Sequence, residues 1–124
     1  MPNVLTPEAR IRDLFATTDS QDVEANAEHV TDDVVLRFGN NDPVVGKEAY
    51  KEMSRGFHAS LAGLRHEILS LWTIDEDTVI TEMSVHYERL DGQKLSLPCA
   101  NVFRLRDGLV KDYQIFMDIT PVFA

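Results

Sequence analysis

The second half of the chain alternates. From Leu64 onward, "LRHEILSLWTI", "TVITEMSVHYERL", "QKLSLPCANVFRL" and "LVKDYQIFMDI" are rich in β-branched and aromatic residues at a period of two. Between these runs stand Asp75-Glu76-Asp77, Asp91-Gly92 and Asp107-Gly108. Asp-Gly between alternating runs is the strongest short-range hairpin signal, and strands joined by hairpins pair antiparallel. Runs of this length exceed the usual five or six residues, which predicts a sheet that curls strongly.

Ahead of the sheet the period is helical. In "TPEARIRDLFATT", Thr6 is placed as an N-cap, Pro7 at the first helical position and Glu8 in the first turn. Ile11, Leu14 and Phe15 then share one face. "SQDVEANAEHVTDD" repeats the pattern, with Ser20 or Asp22 as cap and Val23, Ala27 and Val30 in a stripe. Val34 to Phe38 ("VVLRF") reads as a short strand, closed by the turn-rich "GNNDPVVG". A third helix, "KEAYKEMSRGFHASLAG", sets Tyr50, Met53, Phe57 and Leu61 at helical spacing, with Gly63 as its stop. The order is α-α-β-α-β-β-β-β. It predicts an α+β fold of three N-terminal helices on a strongly curved, mostly antiparallel sheet, with a cavity at the open end. No repeat, linker or low-complexity stretch divides residues 1–124, so they are read as one domain.

Charge and composition exclude several classes. Twenty-one acids against twelve bases give a net charge of −9, which repels nucleic acid and anionic membrane surfaces. No apolar run approaches the ~18 residues needed to span a bilayer. "MPNVLTPEARIRDLF" carries charges where a signal peptide needs an apolar stretch, so a cytoplasmic protein is expected. Cys99 is the single cysteine, which rules out an intrachain disulfide and a structural zinc cluster. No metal-ligand spacing and no glycine-rich phosphate loop is present, so neither metal nor cofactor is expected.

The element order, with "TDDVVLRFGNNDPVVGKEAYKEM" and the closing "NVFRLRDGLVKDYQIFMD", resembles the SnoaL-like branch of the NTF2-like superfamily, to which ketosteroid isomerases and polyketide cyclases also belong. The pieces that carry the resemblance are the "DD" pair before the first strand, Gly46-Lys47-Glu48-Ala49 at the start of the third helix, and the "VFRLRDGLV" hairpin. It implies an α+β cone, commonly dimeric, with a deep apolar pocket between helices and sheet. One such cone serves isomerases, cyclases, dehydratases, hydrolases and pure binding domains. An isomerase of this kind uses a carboxylate base after the first strand, a tyrosine on the first helix and a protonated acid on a late strand. In register, those places hold Phe38, Leu14 and Asn101, which disfavours steroid isomerisation. Asp42 is a substitute base, although "NNDP" reads first as a turn. Asn101 retains an amide able to donate to a carbonyl or oxyanion.

Strand parity supplies the remaining candidates. Glu82, Ser84 and His86 share one face of their strand and are assigned to the concave side, with Cys99, Asn101 and Phe103 and with Tyr113, Ile115 and Met117. Thr81, Met83, Val85 and Tyr87 then fall on the convex side, where the apolar run suggests a homodimer through the sheet face. His86 beside Glu82 is a candidate general base, and Asp118 a candidate acid at the pocket mouth or else a turn residue or dimer contact. Asn101 and Tyr113 are expected to hold a ligand oxygen, with Ser84, Phe38, Tyr50, Phe57 and Met117 contributing to substrate binding. His66 and Trp72 share a face of the first long strand, His58 reaches toward the cavity mouth, and His29 lies on the surface. Cys99 is read as a small buried residue. The function this predicts is a cofactor-free enzyme that isomerises, cyclises, dehydrates or hydrolyses an oxygenated hydrophobic compound. A non-catalytic small-molecule carrier and a protein-interaction module are the alternatives.

Overall fold

Thr6 starts the first helix as its position suggests. The computed structural model describes residues 5–124, so the first four residues of "MPNVLTPEARIRDLF" lie outside the described part. In α1 (Pro7–Asp19) the Thr6 hydroxyl oxygen accepts from the Ala9 amide at 3.1 Å, and Ile11, Leu14 and Phe15 are buried. Asp22, rather than Ser20, caps α2 (Val23–Ala27), accepting from the Ala25 amide at 3.1 Å. That helix is only five residues long. Val30, read as the end of its stripe, instead opens strand β1 (Val30–Phe38).

A two-residue strand β2 (Val44–Val45) and helix α3 (Lys47–Ala59) follow. Gly63 does not stop α3. The helix closes at Ser60, which stays right-handed (φ −85°, ψ −2°) and donates its hydroxyl to the Phe57 carbonyl at 2.6 Å. Leu61, expected on the helix, begins β3 (Leu61–Asp75) and is buried there. β4 (Thr78–Arg89), β5 (Lys94–Arg106) and β6 (Leu109–Phe116) complete the sheet, and a short α4 (Thr120–Phe123) follows. Sequence reasoning did not anticipate β2 or α4.

The six strands run in the order β2-β1-β6-β5-β4-β3, antiparallel throughout except where β1 lies parallel to β6. The edge strand β3 has irregular register against β4 at three places, between Leu61 and Gly63, Ile68 and Ser70, and Thr73 and Asp75. Each extra residue bends the strand and steepens its twist, which wraps the sheet around the helices. The core lies in that concavity: Ile11, Leu14 and Phe15 from α1 meet Val34, Val79, Met83, Val85, Phe103 and Val110 from the sheet. Burying each large apolar side chain stabilises the fold by about 1.5–3 kcal/mol before the loss of chain entropy is counted. The "DD" pair sits where β1 bulges against β6; Asp33 meets the Arg106 guanidinium, and Asp32 the Lys47 ammonium at 3.4 Å. No helix among the described residues is long and apolar enough to cross a membrane.

Candidate functional site

Two Asp-Gly hairpins decide which side chains face the cavity, and they do so differently. At Asp107-Gly108 both residues have positive φ (54° and 80°) and Arg106 pairs directly with Leu109, a two-residue turn. At Asp91-Gly92 the loop includes Leu90: the Gly92 amide donates to the Arg89 carbonyl at 2.9 Å, the Arg89 amide to the Gln93 carbonyl at 2.8 Å, and only Gly92 is left-handed. That extra residue sets Thr81 opposite Asn101 and Met83 opposite Cys99. Directly opposed residues share a face.

The concave side of β4 is therefore Val79, Thr81, Met83, Val85 and Tyr87, all buried, and this corrects the assignment made from parity. Glu82, Ser84 and His86 lie on the convex face, and the Met83-Val85-Tyr87 run is core rather than a contact surface. His86 is bonded to Glu67 (2.8 Å) and Ser96 (2.7 Å) rather than to Glu82. The other parity assignment holds in register, since Asn101 opposes Ile115 and Phe103 opposes Tyr113.

Inside the cone an apolar mouth of ≈ 310 Å³ opens between α3, the segment from Asn41 to Val44, and α4, with Phe38, Met53, Phe57 and Phe123 in its walls. Beneath it lies a chamber of ≈ 60 Å³ walled by Thr18, Asn26, Tyr50, Phe57, His58 and Tyr113, among others. Leu36, Met53 and Phe57 belong to the walls of both. Helix α3 brings Tyr50, Met53 and Phe57 to this space because they recur at helical spacing; β1 brings Leu36 and Phe38 by alternation.

The polar groups of the chamber fall into two sorts. The Tyr50 hydroxyl donates to Asn26 Oδ1 at 2.5 Å, and Asn26 Nδ2 reaches the Leu14 carbonyl (2.9 Å) and the Thr17 and Thr18 hydroxyls (3.0 Å each). These are satisfied. Tyr113, by contrast, lines the chamber with its hydroxyl outside any hydrogen bond among the described residues, and His58 Nδ1 is buried without a partner. Burial raises the Tyr113 phenol well above its ordinary value, so it stays a proton donor. Burial lowers His58, with His66 adding to the effect and Asp19 opposing it, so its imidazole is held neutral. Behind His58, Asp19 Oδ1 lies 2.6 Å from His66 Nδ1, Asp19 Oδ2 accepts from the His66 amide at 2.9 Å, and the His66 ring packs on Phe15 with centroids 4.9 Å apart. A neutral imidazole and a phenol thus share the chamber wall, while Asp19 and His66 line a separate groove with Arg12, Phe15 and Ile68.

Sequence reasoning missed this pairing of His58 with Tyr113. Strict alternation sets His66 and Trp72 on one face, but the bulge at Leu69 separates them: His66 opposes buried Val85, while Trp72 opposes Ile80 and is half exposed. Asn101 is buried, and its amide is occupied by the Thr81 hydroxyl (2.9 Å) and Met83 Sδ (3.0 Å). Met117 accepts from the Tyr87 hydroxyl at 3.2 Å. Asp118 is exposed; it accepts from the Thr120 amide at 3.0 Å, and hydrogen bonding to Thr120 lowers its carboxyl. Burial pushes the Cys99 thiol up to about 11, which keeps it from acting as a thiolate. His29, read as surface, is half-buried with Nδ1 3.0 Å from Arg10. Among the described residues no three His, Cys, Asp or Glu side chains are gathered for a metal ion.

No curated protein sequence matches this chain. Solved structures do. TerC, crystallised with polyporic acid, is 17% identical and superposes with a TM-score of 0.84, covering 96% of each chain. An LEH-like epoxide hydrolase of Mycobacterium tuberculosis is 16% identical, with a TM-score of 0.82 over 98% of this chain and 90% of that one. SalBIII, an epoxide hydrolase/cyclase-like enzyme of pyran ring formation in salinomycin, is 17% identical, with a TM-score of 0.81 over 92% of both chains. At these identities the likeness is one of fold. The family model for the SnoaL-like domain matches residues 11–113, from the buried face of α1 to the tyrosine of the chamber, and the chain belongs to the SnoaL-like family.

Proposed function

We propose that the protein is a cofactor-independent enzyme that moves protons on an oxygenated, mainly apolar small molecule held in the funnel between α3 and the sheet. One observation carries this reading: Tyr113 and His58 line one small chamber beneath an apolar mouth, and the buried His58 Nδ1 has no hydrogen-bond partner. An unpaired buried polar group costs about 1–3 kcal/mol, so the bare His58 nitrogen beside a phenol is best explained by a ligand that pairs with it. Tyr113 donates to the ligand's carbonyl, epoxide or hydroxyl oxygen, and His58 accepts the proton that leaves. Isomerisation, cyclisation, dehydration and hydrolysis all use this pairing of a donor on oxygen with a base. The likeness to an epoxide hydrolase, to an epoxide hydrolase/cyclase-like enzyme of pyran ring formation and to a protein crystallised with polyporic acid supports the substrate class.

Neither His86 with Glu67 nor Asp118 lines the mouth or the chamber, and they serve as controls. Tyr113→Phe and His58→Gln are expected to lower turnover of a cyclic epoxide or ketone by about 10²–10⁴-fold with the fold retained, while His86→Ala and Asp118→Asn keep it. Full activity in both funnel variants would sink the assignment. The absence of a carboxylate at Phe38 favours one second reading, a carrier that binds the same ligands saturably without turning them over. We further propose that two copies associate through the convex sheet face.

A further inference from the structure

The chamber that holds His58 and Tyr113 is too small for an organic molecule. At ≈ 60 Å³ it takes a few waters, whereas a dry cavity that binds benzene measures about 150 Å³. The mouth, at ≈ 310 Å³, has room for about two such rings but holds neither Tyr113 nor His58 in its walls. Three side chains line both spaces, Leu36, Met53 and Phe57, and Phe57 is the one aromatic ring among them. That ring is 6.4 Å from Phe38, 6.5 Å from Tyr87 and 6.4 Å from Phe123, measured between centroids.

We propose that the Phe57 ring is the partition of the substrate site and sets the size of substrate admitted, an inference that rests on the funnel reading above. The oxygen-bearing end of a ligand reaches Tyr113 and His58 only when this ring turns aside, and the apolar body stays in the mouth against Phe38, Met53 and Phe123. The chain around Phe57 is suited to yielding. Gly56 precedes it and meets no atom within 4 Å of where a Cβ would stand, and the last turn of α3 is closed by a Ser60 amide shared between the Gly56 and Phe57 carbonyls, at 3.2 and 3.1 Å. Glycine gives that turn backbone freedom that alanine would remove. The substrate class follows from the two volumes: a two-ring compound with a ketone, epoxide or hydroxyl at one end.

The test uses 4-fluorophenylalanine placed at position 57, with 2-tetralone as a two-ring ketone and tetralin, which has no oxygen to carry past the ring, as the control. On adding 2-tetralone the fluorine resonance should move to a second position. In Phe57→Leu, which keeps an apolar side chain and so the fold, association of 2-tetralone should quicken by about tenfold while that of tetralin stays within about twofold, because a partition that must open taxes binding. An unmoved resonance in the protein bound to 2-tetralone, or equal effects of Phe57→Leu on both compounds, would overturn the partition. Tyr113→Phe separates the two readings: unchanged 2-tetralone affinity in that variant refutes the polar chamber and leaves the partition standing. Binding of neither compound to wild type or Phe57→Leu refutes both.

Discussion

Asn26 ties three helices together with hydrogen bonds alone. From α2 it reaches α1 at the Leu14 carbonyl and the Thr17 and Thr18 hydroxyls, and α3 at the Tyr50 hydroxyl. Asn26→Leu keeps the branched shape in a somewhat larger side chain but strands the buried Tyr50 hydroxyl. It is expected to cost about 1–3 kcal/mol, read as a lower urea midpoint at an unchanged slope, and Tyr50→Phe in the same background should restore part of it. Titration is a second residue-scale test. Burial lowers both His58 and His29, with Arg10 adding to the effect on His29 and Asp13 and Glu28 opposing it. A histidine lowered in the fold binds fewer protons there than in the unfolded chain, so its stabilising contribution is complete above the ordinary value of 6.5 and declines as pH falls below it. Equilibrium unfolding should therefore be flat in this respect above pH 7 and weaken toward pH 5, with a shallower fall in His58→Gln. The residue that sequence reasoning passed over is Asp19. It is an acid in the last turn of a helix, where the dipole disfavours negative charge, and such a placement is itself a sign of a specific cationic or hydrogen-bonding partner. Here that partner is His66, 47 positions on.

At the scale of elements, alternation and turn chemistry made the four long strands and their order legible, and capping made α1 legible. What they left open was loop length. Asp91-Gly92 and Asp107-Gly108 look alike, yet the first closes a three-residue loop and the second a two-residue turn; one residue of difference inverts a strand. Leu90 is that residue, and it is highly exposed because it belongs to the loop rather than to either strand. Deleting Leu90 forces β4 to present Glu82, Ser84 and His86 to the core. The expected result is loss of the cooperative thermal transition and of near-ultraviolet dichroism. A milder probe is Gly92, at φ 89° with open space around it. Gly92→Ala meets no clash but must hold a left-handed backbone, at an expected cost of about 1–2 kcal/mol in urea unfolding. Bulges were equally hidden in the sequence, since nothing local marks Leu69 as the extra residue that turns His66 inward and leaves Trp72 outside.

For the whole molecule, the convex face has its own consequence. Trp72 and Phe116 are half exposed there, and the cross-strand rows Trp72–Ile80–Val102 and Ala100–Phe116 make it apolar toward one end. Exposed aromatic surface of this kind is what association between copies would cover. Trp72→Glu combined with Phe116→Glu is expected to lower the sedimentation coefficient to that of a single chain while leaving the melting transition of the monomer intact. The parallel pairing of β1 with β6 reaches further. Val30 lies beside Val110 and Phe38 beside Ile115, so the first long strand finds its inner neighbour only in the last. A ribosome releasing this chain would hold β1 and all three longer helices without that neighbour until β6 had cleared the exit tunnel. The cone closes only once β6 has emerged, and its apolar lining waits exposed until then.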